Sequence, residues 1–197
     1  DCTCRSCSTK TAWYSMKFEA TPLPDVFLLK PRVFGDSRGF FLESWSAETF
    51  RAAGFDLEFV QDNHSRSARG ILRGMHFQTR HTQGKLVRVT AGEVFDVVVD
   101  MRRSSPTLGQ YHGEFLSAEN HNMLWVPPGF AHGFYVTSEY ADFQYKCTDS
   151  YDPASEVCLA WNDPTVGIDW PVPAGESPRL SEKDGQGLAW DQVPLFD

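Results

Sequence analysis

Apolar residues recur along this chain in short runs, broken roughly every eight to twelve residues by Pro, Gly, Asn or Asp. The pattern predicts strands at Phe18 to Thr21, Val26 to Phe34 and Phe40 to Trp45, with a turn-rich loop, Gly35-Asp36-Ser37-Arg38-Gly39, before the last. Ser46 to Ala53 reads as one short helix, with Ser46 as N-cap, Thr49 in the usual capping-box place and Gly54 as stop. Phe59 to Ser65 starts apolar and turns wholly polar, which predicts a strand running out into a rim. Lys85 to Thr90 and Glu93 to Met101 are strongly β-prone and read as a hairpin joined by Ala91-Gly92. Tyr111 to Leu116, Met123 to Val126, Phe130 to Thr137, Ala141 to Thr148 and Val157 to Trp161 complete the strands. The Pro- and Gly-rich tail from Asp163 to Asp197 is expected either to wrap the body or to extend as loop. Many short strands with little helix between them imply an all-β sandwich or jelly-roll barrel, not an α/β sheet.

One stretch breaks the pattern. Gly70 to Gln78, GILRGMHFQ, is β-prone yet carries Arg73 and His76, which a strand buries only when they have partners or work to do. Strict alternation sends Arg73 and His76 to opposite faces. A bulge at Gly74 would turn both into one cavity.

Length and charge narrow the function. A chain of 197 residues suffices for one well-buried unit, and a net charge of −8 lacks the basic face that nucleic-acid binding needs. No run approaches the roughly 20 apolar residues that span a bilayer, so a cytoplasmic protein that meets neither membrane nor nucleic acid is expected. Residues 1–15, ahead of Met16, are polar and aperiodic and read as an extension outside the fold, leaving 16–197 as a single domain. Cys2, Cys4 and Cys7 crowd that leader but lack a fourth ligand for a metal knot, while Cys147 and Cys158 read as small core thiols.

His76 and His132 lie in apolar contexts, where a histidine is either a satisfied core residue or a working group; the residues alone leave both open. Tyr145 shares a face with Phe143 and Cys147, as a core aromatic would, and Lys85 and the Lys183-Asp184 pair read by default as solvated. Arg38, Arg73, Arg88 and Lys183 together would neutralise a diphosphate if the fold gathers them. A cupin metal site needs a His-x-His pair, and position 78, two after His76, is Gln, so no metal is expected. There is no Walker loop and no dinucleotide fingerprint.

From Met16 onward, FGDSRGFFLES, FVQDNHS, LRGMHFQ, QGKLVRV, GEVFDVVVDMR, SPTLGQ, LSAEN, VPPGFAHGF and LSEKD resemble, in order, segments of the dTDP-4-dehydrorhamnose 3,5-epimerase family. Met75 departs from the Leu common there, a volume-conserving change. The resemblance implies a cupin-type jelly-roll barrel with short peripheral helices, no cofactor, a dTDP-sugar substrate and a homodimer. It also implies that His76 is the general base, oriented by Asp184, that Tyr145 is the acid on the opposite face of the sugar, and that Lys85 stabilises an enolate oxygen. Arg38, Glu43, Gln61, Asn63, Arg73, His132, Glu156 and Lys183 would line the substrate site. Epimerisation at one carbon only, keto-sugar isomerisation and non-catalytic binding of a sugar nucleotide are the alternatives on the same fold.

Overall fold

The computed structural model describes residues 16–197, so the leader and its three cysteines lie outside the described residues. The strands are β1 (Lys17–Ala20), β2 (Phe27–Lys30), β3 (Val33–Asp36), β4 (Gly39–Leu42), β5 (Gln61–Ala68), β6 (Leu72–Gln78) and β7 (Lys85–Ala91). There follow β8 (Glu93–Asp100), β9 (Tyr111–Ser117), β10 (Met123–Val126), β11 (Phe130–Val136), β12 (Tyr140–Cys147) and β13 (Glu156–Cys158), with helices α1 (Ala47–Ala52) and α2 (Glu182–Gly185). They form an antiparallel six-stranded sheet, β1-β2-β10-β7-β12-β5, facing an antiparallel five-stranded sheet, β13-β6-β11-β8-β9. This is the all-β jelly roll that the spacing of turns predicts, and no helix among the described residues is long and apolar enough to cross a membrane.

Alternation along the strands sorts side chains into layers. Val87 and Val89 of β7, Leu124 of β10, Val94 and Val98 of β8, and Phe130 and Phe134 of β11 point between the sheets and fill one end of the sandwich. Their neighbours Leu86, Met123 and Trp125 point outward and pack under Phe50 of α1. On the other side, Leu72, Met75 and Phe77 of β6 are covered by the tail through Val166, Trp170 and Val193, so the tail forms a third layer. Helix α1 begins where expected, the Ser46 side chain accepting from the Thr49 amide.

Three expectations are corrected. Ala91-Gly92 is not the turn of a hairpin: β7 and β8 belong to different sheets, and the chain crosses between them at Gly92. A turn signal between two β-prone runs is the same for a hairpin and for a corner of a sandwich. The run from Val26 to Phe34 splits at Pro31 into β2 and β3, and the loop at 35–39 is the tip of the β3–β4 hairpin, which pairs with neither main sheet. The polar segment after Phe59 is no rim; β5 pairs with β12 along its whole length, and it is polar on both faces because one face lines a cavity.

Candidate active site

The cavity owes its shape to an irregularity in β6. His132 of β11 stands opposite His76 and Phe134 opposite Arg73, so Gly74 and Met75 together face the single residue Gly133. That two-against-one count is a bulge, and it brings Arg73 and His76 to one wall. Glycines are required at the crossing: Gly74 has a φ of 130°, and a Cβ on Gly133 would stand 2.6 Å from the Arg73 carbonyl oxygen.

The resulting cavity has a volume of about 640 Å³, within the range that holds small molecules. Arg73, His76 and His132 come from the five-stranded sheet, while Gln61, Asn63, Lys85 and Tyr145 come from the six-stranded one. Glu156 of β13, with Lys183 and Asp184 of α2, lines the same space. A ligand in the cavity is therefore held between opposing sheets, with His76 on one and Tyr145 on the other.

His76 and Asp184 form the tightest polar pair in the cavity, Nε2 to Oδ1 at 2.6 Å. Ser181, the N-cap of α2, donates to the other carboxylate oxygen at 2.7 Å, and the Gly74 amide donates to Oδ1 at 3.4 Å. Burial works to raise the pKa of Asp184, but the bonds from His76, Ser181 and Gly74 outweigh it and hold it at about 2. An ionised carboxylate only accepts, so the hydrogen lies on Nε2 of the imidazole and Nδ1 keeps its lone pair.

The other titratable groups are tuned by burial. Desolvation lowers the pKa of Lys85, and it raises that of Tyr145, which thus holds its proton to higher pH. Glu156 accepts from Lys183 and from the Tyr151 hydroxyl, both at 2.7 Å; burial opposes its ionisation, but these bonds keep it below the ordinary range. The same bond pushes Tyr151 up to about 12. His132 donates to, or accepts from, both oxygens of Asp96 at 3.0 and 2.9 Å.

Ten of the twelve residues expected at the site line this cavity. Arg38 and Glu43 do not. Arg38 sits at the tip of the β3–β4 hairpin, exposed and paired with Asp36, and Glu43 accepts from the Thr49 hydroxyl at 2.7 Å. Arg88 also lies elsewhere, because on β7 it has the opposite parity to Lys85, and it lines a second hollow with Asp62, Gln144 and Lys146 on the outer face of the six-stranded sheet. Cys158 is not a plain core thiol: it is partly exposed and is paired with His76 across β13 and β6. Reading the strands missed Asp96, Ser181 and Tyr151. Asp96 left a signal, a lone carboxylate in the apolar run Val94 to Val99 with the same parity as Val94 and Val98. Ser181 and Tyr151 left none.

Fold and cavity together define a jelly-roll protein of the cupin type, built for acid–base chemistry on a small anionic molecule. Comparison with known proteins narrows the class. The family described as dTDP-4-dehydrorhamnose 3,5-epimerase matches residues 20–192, and this chain belongs to it. The dTDP-4-dehydrorhamnose 3,5-epimerase of Pseudomonas aeruginosa is 59% identical over 182 residues, which are 92% of this chain and 99% of that protein. A dTDP-6-deoxy-D-glucose-3,5-epimerase from Legionella pneumophila, solved with dTDP-4-keto-L-rhamnose, superposes with a TM-score of 0.89 at 48% identity, covering 92% of this chain and 98% of that one. A 3′-monoepimerase from Streptomyces bikiniensis, solved with dTDP-quinovose, superposes at 0.80 with 32% identity, covering 86% and 85%.

Proposed function

We propose that this protein epimerises dTDP-4-dehydro-6-deoxy-D-glucose at C3 and C5, giving dTDP-4-dehydro-L-rhamnose. The observation that carries the reading is a carboxylate-held imidazole on one sheet and a partly buried phenol on the other, both lining one cavity. The C4 ketone of such a sugar acidifies the hydrogens on both neighbouring carbons. Nδ1 of His76 takes the proton, Asp184 stabilises the imidazolium, and the electron pair moves onto the C4 oxygen. The ammonium of Lys85 offsets the charge that develops there, an effect worth roughly 3 kcal/mol when the donor is preorganised. Tyr145 then returns a proton from the other face, which inverts the carbon. The reaction is redox-neutral, so no nicotinamide or flavin enters it. Arg73 and Lys183 supply positive charge for the diphosphate, and Gln61, Asn63, His132 and Glu156 supply polar contacts to sugar and nucleotide.

The test is turnover of the pure keto-sugar in deuterated water, followed by NMR. Deuterium at C3 and C5 is the expected result. Label at a single carbon means a monoepimerase, the activity named for the Streptomyces bikiniensis relative, and label at neither with intact dTDP binding means a sugar-nucleotide binder.

The same reading gives Arg38 and Glu43 a place. We propose a homodimer in which the β3–β4 hairpin of one copy lies over the cavity mouth of the other. The hairpin carries Phe40 and Phe41 at 62% and 57% exposure beside Arg38, a mixture suited to a nucleotide base and its phosphates. An inactive Arg38→Ala chain mixed with an inactive His76→Ala chain should then regain up to about a quarter of the activity of the unaltered protein, the statistical share of intact sites. No recovery despite exchange of subunits would mean that each copy works alone. A cytoplasmic setting, where Cys147 and Cys158 stay reduced, fits the free thiols among the described residues.

A further inference from the structure

The wall that carries His76 holds a side chain for which the proposed chemistry has no use. Cys158 stands opposite His76 in the β13–β6 pairing, and its thiol donates to the Gly74 carbonyl at 3.4 Å. One donor atom each from His76, Cys158 and Asp184 lie within 4.8 Å of one another. We propose that these three side chains form a binding site for zinc or a similar borderline-soft divalent cation, and that filling it switches the base off.

The donor set selects the ion. Imidazole, thiolate and carboxylate are the ligand types zinc takes, and three protein ligands with an open fourth position is its usual arrangement where exchange with solvent is possible. Magnesium and calcium favour all-oxygen shells and gain nothing from a sulfur. Bond lengths near 2.0 Å to nitrogen and oxygen and 2.3 Å to sulfur put tetrahedral donors roughly 3.3 to 3.8 Å apart, so the His76–Asp184 pair, now at 2.6 Å, has to open by somewhat under about 1 Å while the donors standing farthest apart, within 4.8 Å, close by about as much. Two of them are anchored for this: Ser181 holds the far oxygen of Asp184, so that a metal replaces only the proton His76 shares with Oδ1, and the backbone pairing of β13 with β6 fixes Cys158 beside His76. The fourth position opens to the cavity, because His76 and Asp184 both line it. The nearest lysine of the tail, Lys183, is already paired with Glu156 at 2.7 Å, which lessens its repulsion of a cation. Gln78 in place of a second histidine removes the usual jelly-roll metal pattern, but this set draws on different strands and does not need it.

A bound cation ties up the His76 imidazole and the Asp184 carboxylate that proton abstraction requires, and the site is then inert until the ion leaves. This consequence rests on His76 being the base; the binding itself does not.

Cobalt(II) and zinc alone are the probes, added to a chain in which Cys2, Cys4 and Cys7 are serine, so that Cys147 and Cys158 are its only thiols. Cobalt should give a near-ultraviolet thiolate-to-metal absorption band with a stoichiometry of one per chain, and zinc should abolish it. Cys158→Ser and Cys158→Ala should both lack the band while turning over substrate normally without metal. Zinc should inhibit the parent chain reversibly, with chelator restoring the rate. The two variants should need on the order of a hundredfold more zinc, at least what loss of a mere supporting group costs a metal site. A band that survives in both variants, or no band in the parent, overturns the site; equal zinc sensitivity overturns the switch. Failure of the metal-free parent to turn over the keto-sugar would count against the epimerase reading alone, since the cobalt band is measured without substrate.

Discussion

His76 and His132 face each other across β6 and β11, and each leans on an aspartate, but the two carboxylates live in opposite surroundings. Asp184 sits at the start of a one-turn helix, where Ser181 and the Gly74 amide add their donors to that of His76, and its pKa is held at about 2. Asp96 is fully buried on β8 between Val94 and Val98, takes its hydrogen bonds from His132, and is pushed up by burial. The same two residue types thus make a fixed anion in one place and a reluctant one in the other. A fixed anion keeps its histidine in one tautomer and stabilises the imidazolium, which is what a base needs. A carboxylate that burial discourages from ionising suits a histidine that positions a ligand.

The largest effect should come from the first pair. His76→Ala should lower turnover by about 10³-fold, within the span that a positioned base contributes, while dTDP binding stays within a few-fold of normal. Equal loss of both would make His76 structural. The aspartates should separate next. Asp184→Asn leaves an amide that either donates to Nε2 or accepts without charge, and turnover should fall by about a hundredfold. Asp96→Asn keeps the volume and one acceptor for His132, so its loss should stay under about tenfold and appear mainly in KM. If both asparagine variants lose the same factor in kcat, the contrast between the pairs is wrong.

How much of this was legible beforehand depends on how local the cause is. Helix α1 was, because Ser46, Thr49 and Gly54 carry its start and stop within nine residues. The jelly roll was, because turn spacing survives in any register. The crossing at Gly92 was not, since nothing local distinguishes a corner from a hairpin. The meeting of Arg73 with His76 was not either: the two-residue bulge at Gly74 and Met75 is set by the approach of Gly133, 59 positions after Gly74 in sequence. Helix α2 is a single turn, too short for periodicity, yet it delivers Asp184. The roles of the charged residues came through resemblance to a family, and there Arg38 of the hairpin and Glu43 just beyond it were grouped with a cavity that their own chain does not bring them to.

A smaller effect sharpens the roles of the six-stranded sheet. Burial makes Lys85 give up its proton at lower pH than a free lysine and makes Tyr145 keep its proton to higher pH. The alkaline loss of rate should therefore follow Lys85. In Lys85→Arg, whose guanidinium stays charged, the alkaline limb should move upward although the peak rate drops by about tenfold. A limb that stays in place assigns the titration to another group.

The smallest effect is on stability, and here the two aspartates should differ in sign. Asp184 has a folded pKa near 2 against about 3.9 when unfolded. Between those values the unfolded chain binds more protons, so stability rises with pH through the window, is fully present above about 4, and is lost as pH falls toward 2. The contribution is at most roughly 3 kcal/mol. Asp96 has a folded pKa above its unfolded value, so the folded chain binds more protons above about 4 and this group lowers stability as pH rises from there. Urea midpoints measured in steps from pH 3 to pH 7 should accordingly lose part of their rise between pH 3 and 4 in Asp184→Asn. In Asp96→Asn the midpoints should climb more, not less, as pH increases above 4. Matching slopes in the two variants would mean that both carboxylates feel one environment, and the difference in donors around them would then be no explanation for a difference in role.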